Sequence, residues 1–230
     1  NYDMTASIAR SDSFDVHSYE VDLDVTEYNL QQIEAHARMA LTVLNGEAQN
    51  LWFDLIDLAV DSVHLDGALV DFEHVDGQLH VNSTWETGAE HVIDVWYGGH
   101  PYQDPYWGGV YFVADYIYHL GIGLTSIPPN FGKVWHPCFD NFVERATYTW
   151  NITSAGGRRA HGQGTFLGET TLGGDTVLRS FALAHPITTH QAAFSVANYV
   201  DSNYVHPGFY GDIDVRLTGK PNHINSMVNK

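Results

Sequence analysis

Between Trp135 and Tyr148 the chain reads W-H-P-C-F-D-N-F-V-E-R-A-T-Y, which sets a thiol, a carboxylate and a guanidinium close together. Cys138 is the only cysteine. It follows Pro137 in a strand-entry turn without an identifiable base, so it is expected to be a buried packing residue and not a nucleophile. Asp140 and Arg145 stand five positions apart around an irregular turn. They are expected to pair, either as an active-site ion pair or, preferred here, as a structural pair pinning a loop onto a sheet. Fourteen histidines invite metal chemistry, yet the sequence has no H-E-x-x-H, H-x-H or Cys/His set at ligand spacing. One close pair, His74 and His80, flanks Asp76-Gly77. A two-residue turn there pairs Val75 with Gln78, His74 with Leu79 and Glu73 with His80. The two imidazoles then face opposite ways and cannot share an ion. G-x-S-x-G and the phosphate-binding G-x-x-x-x-G-K-S/T are missing too, and Gly121-Ile122-Gly123 lacks a strand-turn-helix setting. No catalytic residue and no metal ligand is assigned in this chain.

A second group could contact a ligand. Tyr102, Tyr106, Trp107, Tyr111, Phe112, Tyr116 and Tyr118 crowd one short stretch. Such rings stack on sugars and peptides when they line a groove. They also serve as filling between sheets, which is the preferred role.

The elements that must position these residues read as strands. Apolar side chains alternate at Val21, Leu23 and Val25, then from Ile33 to Val43, then at Leu51, Phe53 and Leu55. The pattern recurs at Ile93, Val95 and Tyr97, at Ala146, Tyr148, Trp150 and Ile152, and at Ile213, Val215 and Leu217. Period two buries one face of each strand against a second layer. Asp66-Gly67 and Asp76-Gly77 supply the positive φ of tight hairpins. No window shows a sustained helical period, so the chain is expected to be all-β. Residues 1–218 read as one β-sandwich domain, with a crossing between sub-sandwiches near 100–107, where two prolines interrupt pairing. Residues 219–230 turn polar and read as a tail or a connector.

Composition narrows the function. The chain has 230 residues, 44% of them hydrophobic, which is enough for a sizeable core. Its formal charge of −18 rests on 28 acids against 10 Lys/Arg. Nucleic-acid binding needs clustered cations, so this balance excludes it as a partner class. No apolar run reaches the length of a membrane span. One cysteine allows no internal disulfide and leaves the redox compartment open. Two N-x-S/T sequons, at Asn82 and Asn151, do not settle location; an extracytoplasmic site is slightly favoured.

Taken in order, several segments resemble the N-terminal domain of zinc aminopeptidases of the aminopeptidase N and leukotriene hydrolase family. H-S-Y-E-V-D-L-D-V (17–25) is similar to that family's first long strand. Leu51-Trp52-Phe53-Asp54-Leu55, Val60-Asp61-Ser62-Val63 and Asp66-Gly67 follow in matching sequence. Trp107-Gly108-Gly109-Val110-Tyr111 resembles its Gly-Gly-aromatic loop. Pro137-Cys138-Phe139-Asp140 with Arg145-Ala146-Thr147-Tyr148 resembles its P-C-x-D…K/R-A-T-aromatic signature. His185-Pro186-Ile187-Thr188-Thr189 and Phe194 to Tyr199 look like its closing strands.

The resemblance implies a saddle-like domain of two fused β-sandwiches, with three mostly antiparallel sheets. It implies a non-catalytic domain that walls one side of a peptide cleft and packs on a downstream catalytic domain, its main partner, with peptide as substrate. Zinc is implied for the full-length enzyme only, held there by an H-E-x-x-H motif and a distant glutamate. Trp107, Gly108, Gly109, Tyr111, Thr125 and Ser126 become the cleft candidates, and Pro137, Cys138, Asp140 and Arg145 the structural signature. Family members usually carry Gln or Glu roughly a dozen residues before the P-C pair. Here that neighbourhood is Leu124-Thr125-Ser126-Ile127-Pro128, with Ser126 nearest. Contact from this loop is therefore expected through neutral hydrogen bonds or aromatic packing. The alternative is a stand-alone binding module gripping glycan or peptide with the 102–118 aromatics, marked by an exposed Trp107.

Overall fold

The computed structural model describes residues 4–47 and 50–228. A short helix α1 (Met4–Arg10) leads into β1 (Phe14–Asp24) and β2 (Ile33–Val43). Five short strands follow: β3 (Leu51–Asp54), β4 (Ala59–Leu65), β5 (Ala68–Leu69), β6 (Phe72–Val75) and β7 (Gln78–Val81). Long β8 (Glu90–Gly99) precedes the hairpin β9 (Gly109–Val113) and β10 (Tyr116–Leu120). After an irregular stretch come β11 (Ala146–Ser154), β12 (Arg159–Gly162), β13 (Thr165–Gly173) and β14 (Thr176–Ile187). The chain continues through β15 (Phe194–Ala197), β16 (Val200–Gly208), β17 (Gly211–Gly219) and helix α2 (Pro221–Val228).

The all-β reading holds, with one sheet more than the three expected. Eight strands pair in the order β13-β14-β11-β1-β2-β8-β4-β5, and four in the order β12-β15-β10-β9. Three pair as β3-β7-β6, and β16-β17 form a two-stranded ribbon. Every pairing is antiparallel except β1 with β11. The hairpin at Asp76-Gly77 has the expected register, including Glu73 opposite His80. His74 accordingly reaches the Leu55 carbonyl at 2.9 Å, while His80 meets Asn50 at 3.0 Å.

Alternation buries what it should. Val21, Leu23, Met39, Leu41, Ile93, Val95, Tyr148, Trp150 and Ile152 are at most 2% exposed. They join Phe53 and Leu79 of the three-stranded sheet, and Ile117 and Val196 of the four-stranded sheet, in one contiguous core. Both small sheets therefore close on the same face of the large one. Residues 100–107 carry the chain from the large sheet into the four-stranded one.

One expectation is corrected. Ile213, Val215 and Leu217 share a face that is only partly covered: the ribbon pairs only with itself, Ile213 is 53% exposed, and Val215 and Leu217 are half-buried. The last segment is helical over 221–228 and packs against the ribbon, where Met227 and Ile224 lie over Gly219. Seven-residue α1 and eight-residue α2 are too short to register as a helical period in sequence.

Charge is distributed unevenly. Seven of the 10 Lys/Arg side chains are committed to carboxylates: Arg10, Arg38, Lys133, Arg159, Arg179, Arg216 and Lys220. Few cations remain to offset the other acids, so self-repulsion opposes the compact state. Salt shortens the range of that repulsion from about 30 Å at 0.01 M to about 8 Å at 0.15 M, and affects buried pairs much less. The thermal midpoint should therefore rise with added sodium chloride in a circular-dichroism melt. A midpoint that falls with salt would show that attraction within the surface pairs outweighs the repulsion.

Candidate functional site

The segment richest in chemistry is internal from Trp135 to Asn141. Trp135, His136, Cys138, Phe139 and Asp140 are all 0% exposed. Asp140 does not pair with Arg145. Its partner is Lys133, whose ammonium lies 3.0 Å from the carboxylate and also donates to the Asn130 carbonyl. Thr189 donates its hydroxyl to Asp140 at 2.6 Å, and the backbone N–H groups of Gly132 and Lys133 add bonds of 3.2 and 3.3 Å. Burial pushes the Asp140 carboxyl up, but Lys133 and the Thr189 hydroxyl outweigh it and hold the group below its ordinary value. Arg145 is exposed and forms no ion pair among the described residues. A five-residue spacing leaves the cation outside because β11 begins at Ala146 and turns Arg145 to the open side.

A second buried pair adjoins the first. The Arg10 guanidinium donates to Asp54 at 2.7 Å and to the Trp52 carbonyl at 2.7 Å. Asp54 also accepts the backbone N–H of Asp140 at 3.0 Å, and its own backbone exchanges bonds with Cys138 at 2.8 and 3.1 Å. The two pairs thus tie helix α1, strand β3 and the 130–140 segment together. Burial, then the Asp140 and Asp54 carboxylates, push the Cys138 thiol well up. It stays a thiol and packs, as expected.

His136 lies over Tyr19, ring centroids 5.3 Å apart and 7° from parallel, and against Trp135 at 4.2 Å. His119 reaches the Phe131 carbonyl at 2.7 Å. Burial lowers both imidazoles to about 4. Both therefore belong to the architecture.

The exposed chemistry sits at one rim, and Asp104 organises it. Its carboxylate accepts the backbone N–H of Tyr106 at 2.9 Å and of Trp107 at 3.0 Å. The other oxygen accepts the Thr125 hydroxyl and, at 3.2 Å, the Thr125 N–H. Burial would raise this carboxyl, but the Thr125 hydroxyl and the three N–H groups hold it at about 2. Asp104 is not among the residues singled out from sequence, although Asp ahead of a Pro-aromatic turn is a recognisable Asx-turn signal. Leu124 N–H donates to the Trp107 carbonyl at 3.2 Å, and Gly108 N–H to the Tyr111 hydroxyl at 2.9 Å. Both glycines have positive φ, +105° and +99°; a Cβ would strike the Ile122 carbonyl at Gly108 and the Tyr102 carbonyl at Gly109.

Five of the six cleft candidates thus gather at one place: Trp107 and Gly108 in one loop, Gly109 and Tyr111 at the start of β9, and Thr125 in a second loop stitched to the first. Ser126 continues the second loop into a neighbouring groove beside Asp76-Gly77, with Tyr102 opposite. The rim presents Tyr106, Trp107, Leu124 and Ile127, which are 78%, 52%, 70% and 85% exposed. The remaining aromatics divide. Tyr111 stacks on Tyr118 at 5.0 Å, Tyr102 packs edge-on against Phe131 at 5.5 Å, and the Lys220 ammonium sits 4.0 Å from the Tyr116 ring centre.

No family profile and no curated protein matches this sequence. Solved structures do. The M1 zinc metallopeptidase from Deinococcus radiodurans superimposes with a TM-score of 0.80 at 18% identity, over 91% of this chain and 48% of that one. A mutant of it bound to a Tyr-Ser-Ala substrate gives 0.80, and a two-domain M1 zinc metallopeptidase mutant bound to L-arginine gives 0.79. This chain has a fold found in M1 zinc metallopeptidases. That is the fold the resemblance implied, and the chain spans about half the length of the solved structures it matches. Among the described residues no group of three His, Cys, Asp or Glu is placed to hold a metal ion. No helix among them is long and apolar enough to cross a membrane.

Two outcomes are expected. Replacing Asp140 with Ala removes the carboxylate that neutralises the buried Lys133, a loss of about 3–5 kcal/mol, while Arg145→Ala stays within about 0.5 kcal/mol. Urea titration of both variants reads the contrast. The histidines set an acid limit as well. Their folded values near 4 lie below the ordinary 6.5, so the unfolded chain binds more protons between those limits. Stability is held above pH 6.5 and lost as pH falls toward 4, by roughly 3 kcal/mol per imidazole. His136→Phe should flatten that slope; an unchanged slope in pH-dependent urea melts would show that His136 does not set the acid limit.

Proposed function

We propose that this chain is the non-catalytic N-terminal wall of the peptide cleft in a zinc-dependent aminopeptidase. The observation that carries the reading is the fold: the match takes in 91% of this chain and about half of M1 zinc metallopeptidase chains. The metal and the hydrolytic chemistry belong to a separate catalytic domain, which is this chain's main partner. This chain supplies shape. Its Asp104-bound loops hold Trp107 and Ile127 outward on a rigid base, where they exclude water and pack against a peptide. Their contribution is to positioning, since neither loop carries an acid or base free to move a proton.

The test joins this chain to the segment encoded after it and follows hydrolysis of aminoacyl anilides with zinc supplied. Activity should require the joined protein. Trp107→Ala should raise KM about tenfold with kcat little changed, the pattern of lost ground-state contact. Turnover by this chain alone, purified free of metal, would overturn the proposal.

The exposure of Trp107 also supports the second reading, a stand-alone module for glycan or peptide. A shift of Trp107 fluorescence with oligosaccharide, absent in Trp107→Phe, would favour that reading; a silent titration would leave it without support.

A further inference from the structure

The groove beside the Asp76-Gly77 hairpin consists of two adjoining hollows of about 670 and 250 Å³ that share Ile56, Asp76, Gly77 and Ser126. Its position is set by local bonds. Leu55 N–H donates to the Gly77 carbonyl at 2.9 Å, and His74 reaches the Leu55 carbonyl at 2.9 Å, which lays the hairpin along the chain at 55–56. A Cβ at Gly77 would lie 2.7 Å from Ile56, so the turn needs glycine for this approach. Ile56 N–H donates to the Lys133 carbonyl at 3.0 Å, which ties the floor to the buried ion pairs.

Apolar surface from Ile56, Val75 and Ile127 lines the groove above the buried Leu55 and Pro128, and two carboxylates, Asp57 and Asp76, stand exposed in its wall. Neither carboxylate forms an ion pair among the described residues. The one lysine in the lining, Lys133, is spent on Asp140, and the one imidazole, His74, is spent on Leu55. The groove therefore combines apolar side chains with two uncompensated carboxylates, within a chain of −18. A side chain that matches both features has an aliphatic stem and a cationic end.

We propose that this groove receives a Lys or Arg side chain of a bound peptide, the stem on the apolar floor and the cation against Asp57 and Asp76. The inference deepens the cleft-wall reading by naming peptides with a basic side chain as the favoured class, and rests on that reading only in calling the peptide a substrate. Charge complementarity selects the occupant: a neutral or acidic side chain of equal length finds the same floor without the electrostatic gain.

The experiment is a titration of this chain followed by backbone amide NMR at low ionic strength, with Ala-Arg-Ala and the isosteric neutral Ala-citrulline-Ala. The arginine peptide should shift the amides of Asp57, Asp76, Gly77 and Ser126 and bind about tenfold tighter, with the preference fading near 1 M salt. The variant carrying Asp57→Asn and Asp76→Asn should erase the preference. Both positions have positive φ, 61° and 52°, a conformation asparagine accepts, and Asn-Gly is itself a favoured hairpin turn, so the variant should keep the fold. Equal binding of the two peptides, shifts confined to another surface, or no shift at all would overturn the inference and leave the cleft-wall reading intact. An inactive joined protein would overturn that reading and leave this titration unchanged.

Discussion

Two adjacent ion pairs in the dry interior, Arg10 with Asp54 and Lys133 with Asp140, are the constraint on which the rest of this molecule depends. Charges in such a place are tolerated only when each is paired and its remaining hydrogen bonds are met. Here most are met by backbone: the Trp52 and Asn130 carbonyls accept from the cations, the N–H groups of Gly132, Lys133 and Asp140 donate to the carboxylates, and the Ser7 and Thr189 hydroxyls add two side-chain bonds. Because the partners come from α1, β3 and the 130–140 segment, satisfying the charges fixes where those pieces sit. Apolar burial alone would allow the irregular segment to slide; a carboxylate with four defined donors does not.

That fixed segment in turn sets the rim. The Lys133 carbonyl holds Ile56, Phe131 returns to Gly121 through a 2.8 Å backbone bond, and the loop at 122–130 is closed at its base by Ile122 and Asn130. Asp104 then clamps this loop to the one carrying Tyr106 and Trp107. Apolar side chains are normally drawn inward, so Trp107, Leu124 and Ile127 stay in solvent because the backbone beneath them is held by hydrogen bonds whose exchange for water would leave buried polar groups unmet. An exposed apolar rim on a rigid base is what a surface for contact requires.

The strands are legible in the sequence because period-two alternation reports a face directly: Tyr148, Trp150 and Ile152 need only be counted to be placed inward. The Asp76-Gly77 register is legible for a similar reason, since a two-residue turn leaves one pairing. The ribbon is misjudged by the same rule. Alternation at Ile213, Val215 and Leu217 shows that a face exists and says nothing of whether a layer covers it. The Asp140 partner is misjudged when distance along the chain stands in for distance in space. Lys133 lies seven positions before Asp140 and Arg145 five after, and only the direction in which β11 leaves the turn decides between them. Asp104 is hard to find because its two jobs, a local Asx turn and a clamp on Thr125, join segments 21 residues apart.

By itself the sequence determined that this chain is all-β, acidic, and punctuated by turns whose glycines tolerate positive φ. Those properties follow from local rules: side-chain period, net charge and backbone sterics, each read within a few residues. Only the tertiary structure decided which cation neutralises Asp140, that His136 is interior, that Ser126 and Asp76 line one groove, and that Ile213 at the ribbon's far end stays exposed. Those outcomes depend on pairing between strands far apart in sequence, and the free energy of a buried charge or a covered face is set by neighbours that no local pattern names.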